Sequence, residues 1–299
     1  EADEVEATPG LAEGLDGINV VSASAGDSHT FVLADDGKVY GAGCFRDTSG
    51  ALAFSDSSML SKKFVQVYPP LEPEAGIVYP PAVAISSGCD HVVLLAKDAA
   101  NKSYVFTYGT GEQGQLGRLS SSKCSRDSNH RGVPGPKRDA DFLDQVAKKK
   151  TTFAVLSCLL KFHPVDDKLW KKKNLVGVSA CGWSTYVIDD VGKVFSWGLN
   201  NYAQLGLGPI KKKKIMTEFT PKPAKAFTSP VVQIEGGQHH CVVLTAGGEV
   251  QCVGRGETGQ LGVLAADGNP VSETSVPLTV SGLGDDKITS VAAGRTCSF

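Results

Sequence analysis

The chain has 299 residues, a formal net charge of −2, 41% apolar residues and 21% charged residues, a balance too apolar and too near neutrality for a disordered polymer. Its longest nearly uncharged apolar stretch, Phe153 to Leu160, is far shorter than the roughly 20 residues of a membrane-spanning helix, so no membrane partner is expected. The 34 Gly residues predict many tight turns and therefore many short strands.

Residues 1–16 form an acidic lead-in, expected to end a preceding structural unit. With two Met and a start at Glu1, the chain reads as a fragment or a processed product. From residue 17 a pattern begins. Val21 to Gly26 is a short alternating run closed by glycine, and His29 to Leu33 is a second apolar run. Asp35-Asp36-Gly37 is a hairpin turn in which glycine supplies positive φ. Lys38-Val39-Tyr40 gives a third strand and Phe64 to Val67 a fourth.

The pattern recurs. Leu33, Gly37, Val39 and Gly43 follow His29 at the offsets at which Leu244, Gly248, Val250 and Gly254 follow His240. His91 begins the same way with Leu95, and a short insertion within Asp98 to Ser103 then delays Val105 and Gly109. A further copy runs from Cys181-Gly182-Trp183-Ser184 through Gly192, Val194 and Gly198, and a fifth starts at Val291-Ala292-Ala293-Gly294. Each unit has a second half: GTGEQGQLG from Gly109, GLNNYAQLG from Gly198 and GRGETGQLG from Gly254. Gly26, Gly88, Gly182, Gly237 and Gly294 serve as anchors of a unit of mid-fifties length, a size nearer to propeller blades than to helical solenoids. Four short antiparallel strands per unit make one blade of a β-propeller. A lone blade cannot bury both its faces, so blades stack around an axis. The expected fold is therefore all-β, a propeller over residues 17–299 with about four to five blades in an incomplete ring, interrupted by an inserted segment at about 139–173. Phe142, Leu143, Val146, Phe153, Val155, Leu156, Leu159 and Leu160 within or beside that insertion have the spacing of an amphipathic helix.

Covalent chemistry finds little support. There is no phosphate-binding Gly-x-x-x-x-Gly-Lys-Ser/Thr loop, no His-Glu-x-x-His and no Gly-x-Ser-x-Gly. Gly109 to Gly114 matches Gly-x-Gly-x-x-Gly, but it recurs as a blade turn and opens no helix. Gln238-His239-His240 lacks a third ligand at metal spacing, so no metal is expected. The eight Cys form no Cys-x-x-Cys pair and read as reduced, small core hydrophobes of an intracellular protein. The lysine runs Lys148 to Lys150, Lys171 to Lys173 and Lys211 to Lys214 suit either solvated loops or sequence-blind contacts to DNA phosphates.

The paired Gly-x-x-His-x-x-x-Leu and Gln-Leu-Gly halves resemble the regulator of chromosome condensation repeat family, which implies a seven-bladed propeller of which about two and a half blades are not in this chain. SAGDSHT from Ser24, GCFRDTSG from Gly43, SSGCDH from Ser86, GEQGQLGR from Gly111 and GGQHH from Gly236 are similar, in order, to the members of that family that act as exchange factors for the small GTPase Ran. The resemblance implies that Asp27, Asp90 and His239 lie on a GTPase-binding face. It implies that Phe45, Arg46, Asp47, Thr48, Ser49 and Gly50, which break the repeat where Gln-Leu-Gly is due, form a β-wedge directed at the GTPase near its nucleotide; a degenerate turn that closes a blade is the plainer alternative. The repeat histidines His29, His91 and His240 read as satisfied structural side chains. The resemblance further implies chromatin association in the nucleus, with a loop after Arg118 (Arg126, Arg131, Lys137 and Arg138) meeting histones or DNA. The basic N-terminal tail of the family is replaced here by the acidic Glu1 to Glu13. No cofactor is implied for the propeller itself, because GDP, GTP and Mg²⁺ belong to the GTPase. The competing readings are a propeller scaffold without exchange activity and an enzyme acting in the propeller pocket, the latter without a catalytic constellation.

Overall fold

A computed structural model describes residues 9–48, 50–55, 57–119, 159–208, 216–284 and 287–299. The strands are β1 (Val20–Ala25), β2 (His29–Ala34), β3 (Val39–Gly43), β4 (Phe45–Asp47), β5 (Gly50–Ala53), β6 (Ser61–Tyr68), β7 (Ala82–Ser87), β8 (His91–Lys97), β9 (Ser103–Gly109), β10 (His163–Pro164), β11 (Leu175–Ala180), β12 (Ser184–Asp189), β13 (Val194–Leu199), β14 (Thr217–Pro223), β15 (Val231–Gly236), β16 (His240–Thr245), β17 (Val250–Arg255) and β18 (Glu273–Thr279). They form four antiparallel four-stranded sheets, ordered β1-β2-β3-β6, β10-β9-β8-β7, β11-β12-β13-β14 and β15-β16-β17-β18, plus the hairpin β4-β5. A fifth unit starts with the bridge between Ala293 and Ser298. The architecture is a β-propeller with an incomplete ring of four blades and the beginning of a fifth.

Strand sequences that are apolar at consecutive positions make sense only when both faces are covered. In β8, Val92, Leu94 and Ala96 enter the core shared with the first blade, whereas Val93 and Leu95 enter the core shared with the third. In β16, Cys241 and Val243 face the third blade and Val242 and Leu244 face the start of the fifth. Covering ends where the ring is open: Val20 of β1 is exposed whereas its equivalents Ala82, Leu175 and Val231 are buried, and Leu264, Leu283 and Phe299 are exposed at the other end.

The Gln-Leu-Gly turns fasten each blade to the next. Leu116, Leu205 and Leu261 are buried. The Gln115 carbonyl accepts hydrogen bonds from Thr185 Oγ1 and Trp197 Nε1, both at 2.8 Å. The Gln204 carbonyl accepts from the Tyr186 hydroxyl of its own blade at 2.8 Å and from Cys241 Sγ of the next blade at 3.5 Å, and the Gln260 carbonyl accepts from Ser298 Oγ at 2.9 Å. The glutamine side chains turn back on their own loops, each Oε1 accepting a backbone N–H at 2.9 Å, from Gln113, Tyr202 and Thr258 respectively.

Residues 159–173, read from sequence as the tail of the inserted segment, are built into the ring. Leu159, Leu160 and Phe162 are buried between the first two blades, and His163–Pro164 pairs with β9 as the outer strand of the second blade. Lys173 is committed to Asp189, at 2.7 Å, and lies over the Phe195 ring, which leaves Lys171 and Lys172 as the exposed members of that run. Arg126, Arg131, Lys137, Arg138, the runs at 148–150 and 211–214, the acidic residues 1–8 and most of the expected helix lie outside the described residues.

Candidate functional site

The turn between the first and second strands of each blade is set by one hydrogen bond. Backbone N–H groups of Gly26, Gly88, Cys181, Gly237 and Gly294 donate to the carbonyls of His29, His91, Ser184, His240 and Cys297. This register corrects one anchor: Cys181, not Gly182, is the equivalent of the glycines. A Cβ on Gly26, Gly88 or Gly237 would meet the following histidine ring at 2.3–2.4 Å. The same Cβ would also meet a carbonyl of the next blade at 2.1–2.4 Å (that of Gly88, Cys181 and Gly294 respectively); in the third blade Ser184 replaces the histidine and Cys181 takes the glycine's place.

Two rings of positions follow. Nearer the axis stand Asp27, Cys89, Gly182, Gln238 and Arg295. Their backbones are linked blade to blade: Asp27 N–H to Cys89 carbonyl at 3.0 Å, Cys89 N–H to Gly182 carbonyl at 2.9 Å, and Gln238 N–H to Arg295 carbonyl at 3.0 Å. One residue on stand Ser28, Asp90, Trp183, His239 and Thr296. Repeat equivalence therefore puts Asp27, Asp90 and His239 on the same end of the propeller.

Their environments differ. Asp27 is exposed. Asp90 is 9% exposed, and its Oδ1 accepts the Arg46 backbone N–H at 2.9 Å. Burial pushes the Asp90 carboxyl up to about 6; the Arg46 N–H opposes this, and the nearby charge of Asp27 adds to it. His239 is half-buried, with its ring 5.7 Å from Trp183 and 5.1 Å from Tyr202. Its Nδ1 is buried and has no hydrogen-bond partner. Burial, then Arg255 and Arg295, lower its basicity.

The segment that breaks the repeat is the hairpin β4-β5, paired Phe45 to Ala53, Arg46 to Ala51 and Asp47 to Gly50. Gly50 has a φ of 101°, a conformation that favours glycine. Arg46 and Thr48 are exposed and Asp47 is half-buried; Ser49 lies outside the described residues. Phe45, the first residue of the expected wedge, anchors the hairpin in the core. It is fully buried, 4.6 Å from the His29 ring and 4.9 Å from Tyr108, because strand alternation turns it inward as Arg46 turns outward. The hairpin rests on the second blade through Asp90 and through Glu112, whose carboxylate accepts Thr48 N–H at 2.9 Å and Thr48 Oγ1 at 3.1 Å.

The repeat histidines are not uniformly satisfied. His91 Nε2 meets Thr185 Oγ1 at 2.8 Å and His240 Nε2 meets Ser298 Oγ at 3.0 Å. Because each hydroxyl also donates to a glutamine carbonyl, each imidazole is the donor in its pair. His29 has no partner on either nitrogen, since Val92 stands where the next blade would offer a hydroxyl. Burial lowers its pKa to about 4.

Arg46, Asp47, Thr48, Asp90, Glu112, Trp183 and Asn201 are among the residues around a cavity of about 420 Å³ on this face. Trp183 joins that cavity to His239. Sequence reasoning missed it because the Gly182 anchor aligned it with Asp27; the one-residue shift to Cys181 aligns it with Asp90 and His239. Glu112 was hidden within a repeat turn.

A family model described as an RCC1-like domain matches residues 1–299. The chain is 32% identical over 297 residues to "Regulator of chromosome condensation" of Xenopus laevis, covering 98% of this chain and 59% of that protein. The human protein of the same name is 32% identical over 295 residues with the same coverage. This chain thus spans 59% of the length of those relatives. Among solved structures, Prp20p of Saccharomyces cerevisiae aligns with a TM-score of 0.66 at 22% identity, over 93% of this chain and 55% of that one, a likeness of fold.

Proposed function

Given that the chain belongs to the RCC1-like domain family, we propose that it acts as a guanine nucleotide exchange factor for the small GTPase Ran, engaging the GTPase with the face that carries Asp27, Asp90, His239 and the hairpin. The observation that carries this reading is the hydrogen bond from Arg46 N–H to Asp90. It joins the segment that interrupts the repeat to a residue expected, from a different blade, to serve the same partner. Prp20p, whose fold this chain shares, is described with binding properties to Gsp1p and histones. The reading extends to chromatin association in the nucleus, with the basic residues Arg126, Arg131, Lys137 and Arg138 as the histone or DNA contacts.

Exchange requires no bond to be made or broken in the propeller. A factor that holds the nucleotide-free GTPase weakens nucleotide binding, and the nucleotide weakens the factor's binding by the same factor. The tools are a shaped projection and acidic or hydrogen-bonding groups. The hairpin held at both ends supplies the first, and Asp27 and Asp90 the second. The test is release of labelled GDP from Ran with and without the protein. Accelerated release that depends on Asp27 supports the reading; unaltered release, with the propeller folded, leaves an interaction scaffold instead.

A further inference from the structure

We propose that Glu112 is the positioning residue of the hairpin, fixing its turn so that the projection meets the GTPase already ordered; this rests on the exchange reading above. Two features carry it. The first is geometric. The hairpin leaves the first blade at Phe45, which is locked in the core, and two carboxylates of the second blade then take alternate backbone N–H groups. Asp90 takes that of Arg46, and Glu112 that of Thr48. Arg46 lies in β4 and Thr48 in the turn directly after it, so the pair of carboxylates holds the strand and the start of its turn on one side. The second is that Glu112 also receives the Thr48 hydroxyl on its other oxygen. Both oxygens are thereby used on one turn residue, which lies next to the tip.

Both Glu112 oxygens are taken up by Thr48, so its influence passes through the hairpin. A hairpin of two short strands is marginal in water on its own. Holding it in place beforehand removes an ordering cost that complex formation would otherwise bear. Glu112 itself is free to do this because the neighbouring Gln115, not Glu112, supplies the carbonyl that fastens the second blade to the third. The turn 110–117 thus serves two neighbours at once: Gln115 toward the third blade and Glu112 back toward the hairpin of the first.

The test compares Glu112→Ala, Glu112→Gln and Thr48→Val in exchange assays, with amide hydrogen exchange of Arg46 and Thr48 measured in parallel. Glu112→Ala should slow propeller-catalysed GDP release from the GTPase about tenfold and accelerate amide exchange at Thr48 by a similar factor, as expected for loss of charge-assisted hydrogen bonds. Glu112→Gln keeps an acceptor for the amide and a donor for the hydroxyl, and should stay within about twofold of the parent in both readouts. Adding Thr48→Val to Glu112→Ala should cost less than the two separate losses combined, because both remove one contact. Slower release in Glu112→Ala with unchanged Thr48 protection overturns the positioning role, as does failure of Glu112→Gln to rescue. If the unaltered protein releases no GDP, the exchange reading falls, and Thr48 protection alone then decides whether Glu112 holds the hairpin.

Discussion

Cys181 and Ser184 stand together in the third blade where the first, second and fourth blades carry glycine and histidine, joined by the same N–H to carbonyl hydrogen bond at 2.8 Å. The two substitutions compensate in volume. Ser184→His alone should overpack this turn and cost about 1–3 kcal/mol. Combined with Cys181→Gly it should recover at least about 1 kcal/mol of that loss, a coupling expected of residues in contact. Urea unfolding of both single variants and the double variant measures the coupling; strictly additive costs would show that the pair is not linked.

Phe45 and Arg46 are neighbours with opposite roles. Phe45→Ala should destabilise the chain by about 3–5 kcal/mol, as for other buried aromatic truncations. Arg46→Ala should change stability by less than about 0.5 kcal/mol, since its side chain faces solvent, yet slow GDP release. Thermal unfolding and exchange assays on the same two proteins check this, and an Arg46→Ala variant with normal exchange would remove the hairpin from the proposed interface.

Acid stability pits buried groups against each other. His29 is lowered to about 4 and His91 to about 3, both by burial. In the unfolded chain they protonate near 6.5, so stability is lost as pH falls below that value. Asp90 is raised to about 6. The native state therefore holds its proton after the unfolded chain has lost it, and this contribution is lost as pH rises from about 4 to 6. The two slopes oppose. Asp90→Asn should make stability climb more steeply over that range, by roughly 1–2 kcal/mol after allowing for solvent screening. Urea midpoints at pH 4.5 and 6.5, compared between parent and variant, provide the check; parallel slopes would mean that Asp90 titrates normally.

Trp183 lies between Asp90 and His239 in the ring of equivalent positions. If this face engages a GTPase, Trp183→Ala should raise KM for the GDP-bound partner roughly tenfold, as for a central aromatic contact. Trp183→Phe should fall between. Unchanged KM in a folded Trp183→Ala protein would confine the interface to the Asp90 side.

Blade architecture was legible because it is local: hairpin turns, alternation and Gln-Leu-Gly turns all lie within a few tens of residues. The fate of individual side chains was less so, because it is settled between blades. Asp90 is buried against a backbone N–H that belongs to Arg46 in the preceding blade. His29 lacks a partner because Val92, in the following blade, has no hydroxyl. Phe45 was readable in principle, since an apolar residue before a charged pair has the strand alternation that turns it inward. Leu159 and Leu160 looked like part of one face of a helix, but they are buried with Phe162 in the core of the first two blades, where Phe162 meets Phe31 and Tyr68.

The links around the axis are made by peptide groups, from Asp27 to Cys89, Cys89 to Gly182 and Gln238 to Arg295. Peptide groups are the same whatever residue carries them. An acid, a thiol, an amide and a guanidinium thus occupy four matching seats without disturbing the frame, while the third-blade seat keeps glycine, since a Cβ on Gly182 would meet the Gln238 backbone at 2.9 Å. Such a surface can drift in chemistry one seat at a time while its spacing is inherited intact, which gives a lineage of these chains a way to acquire new partners on an old scaffold.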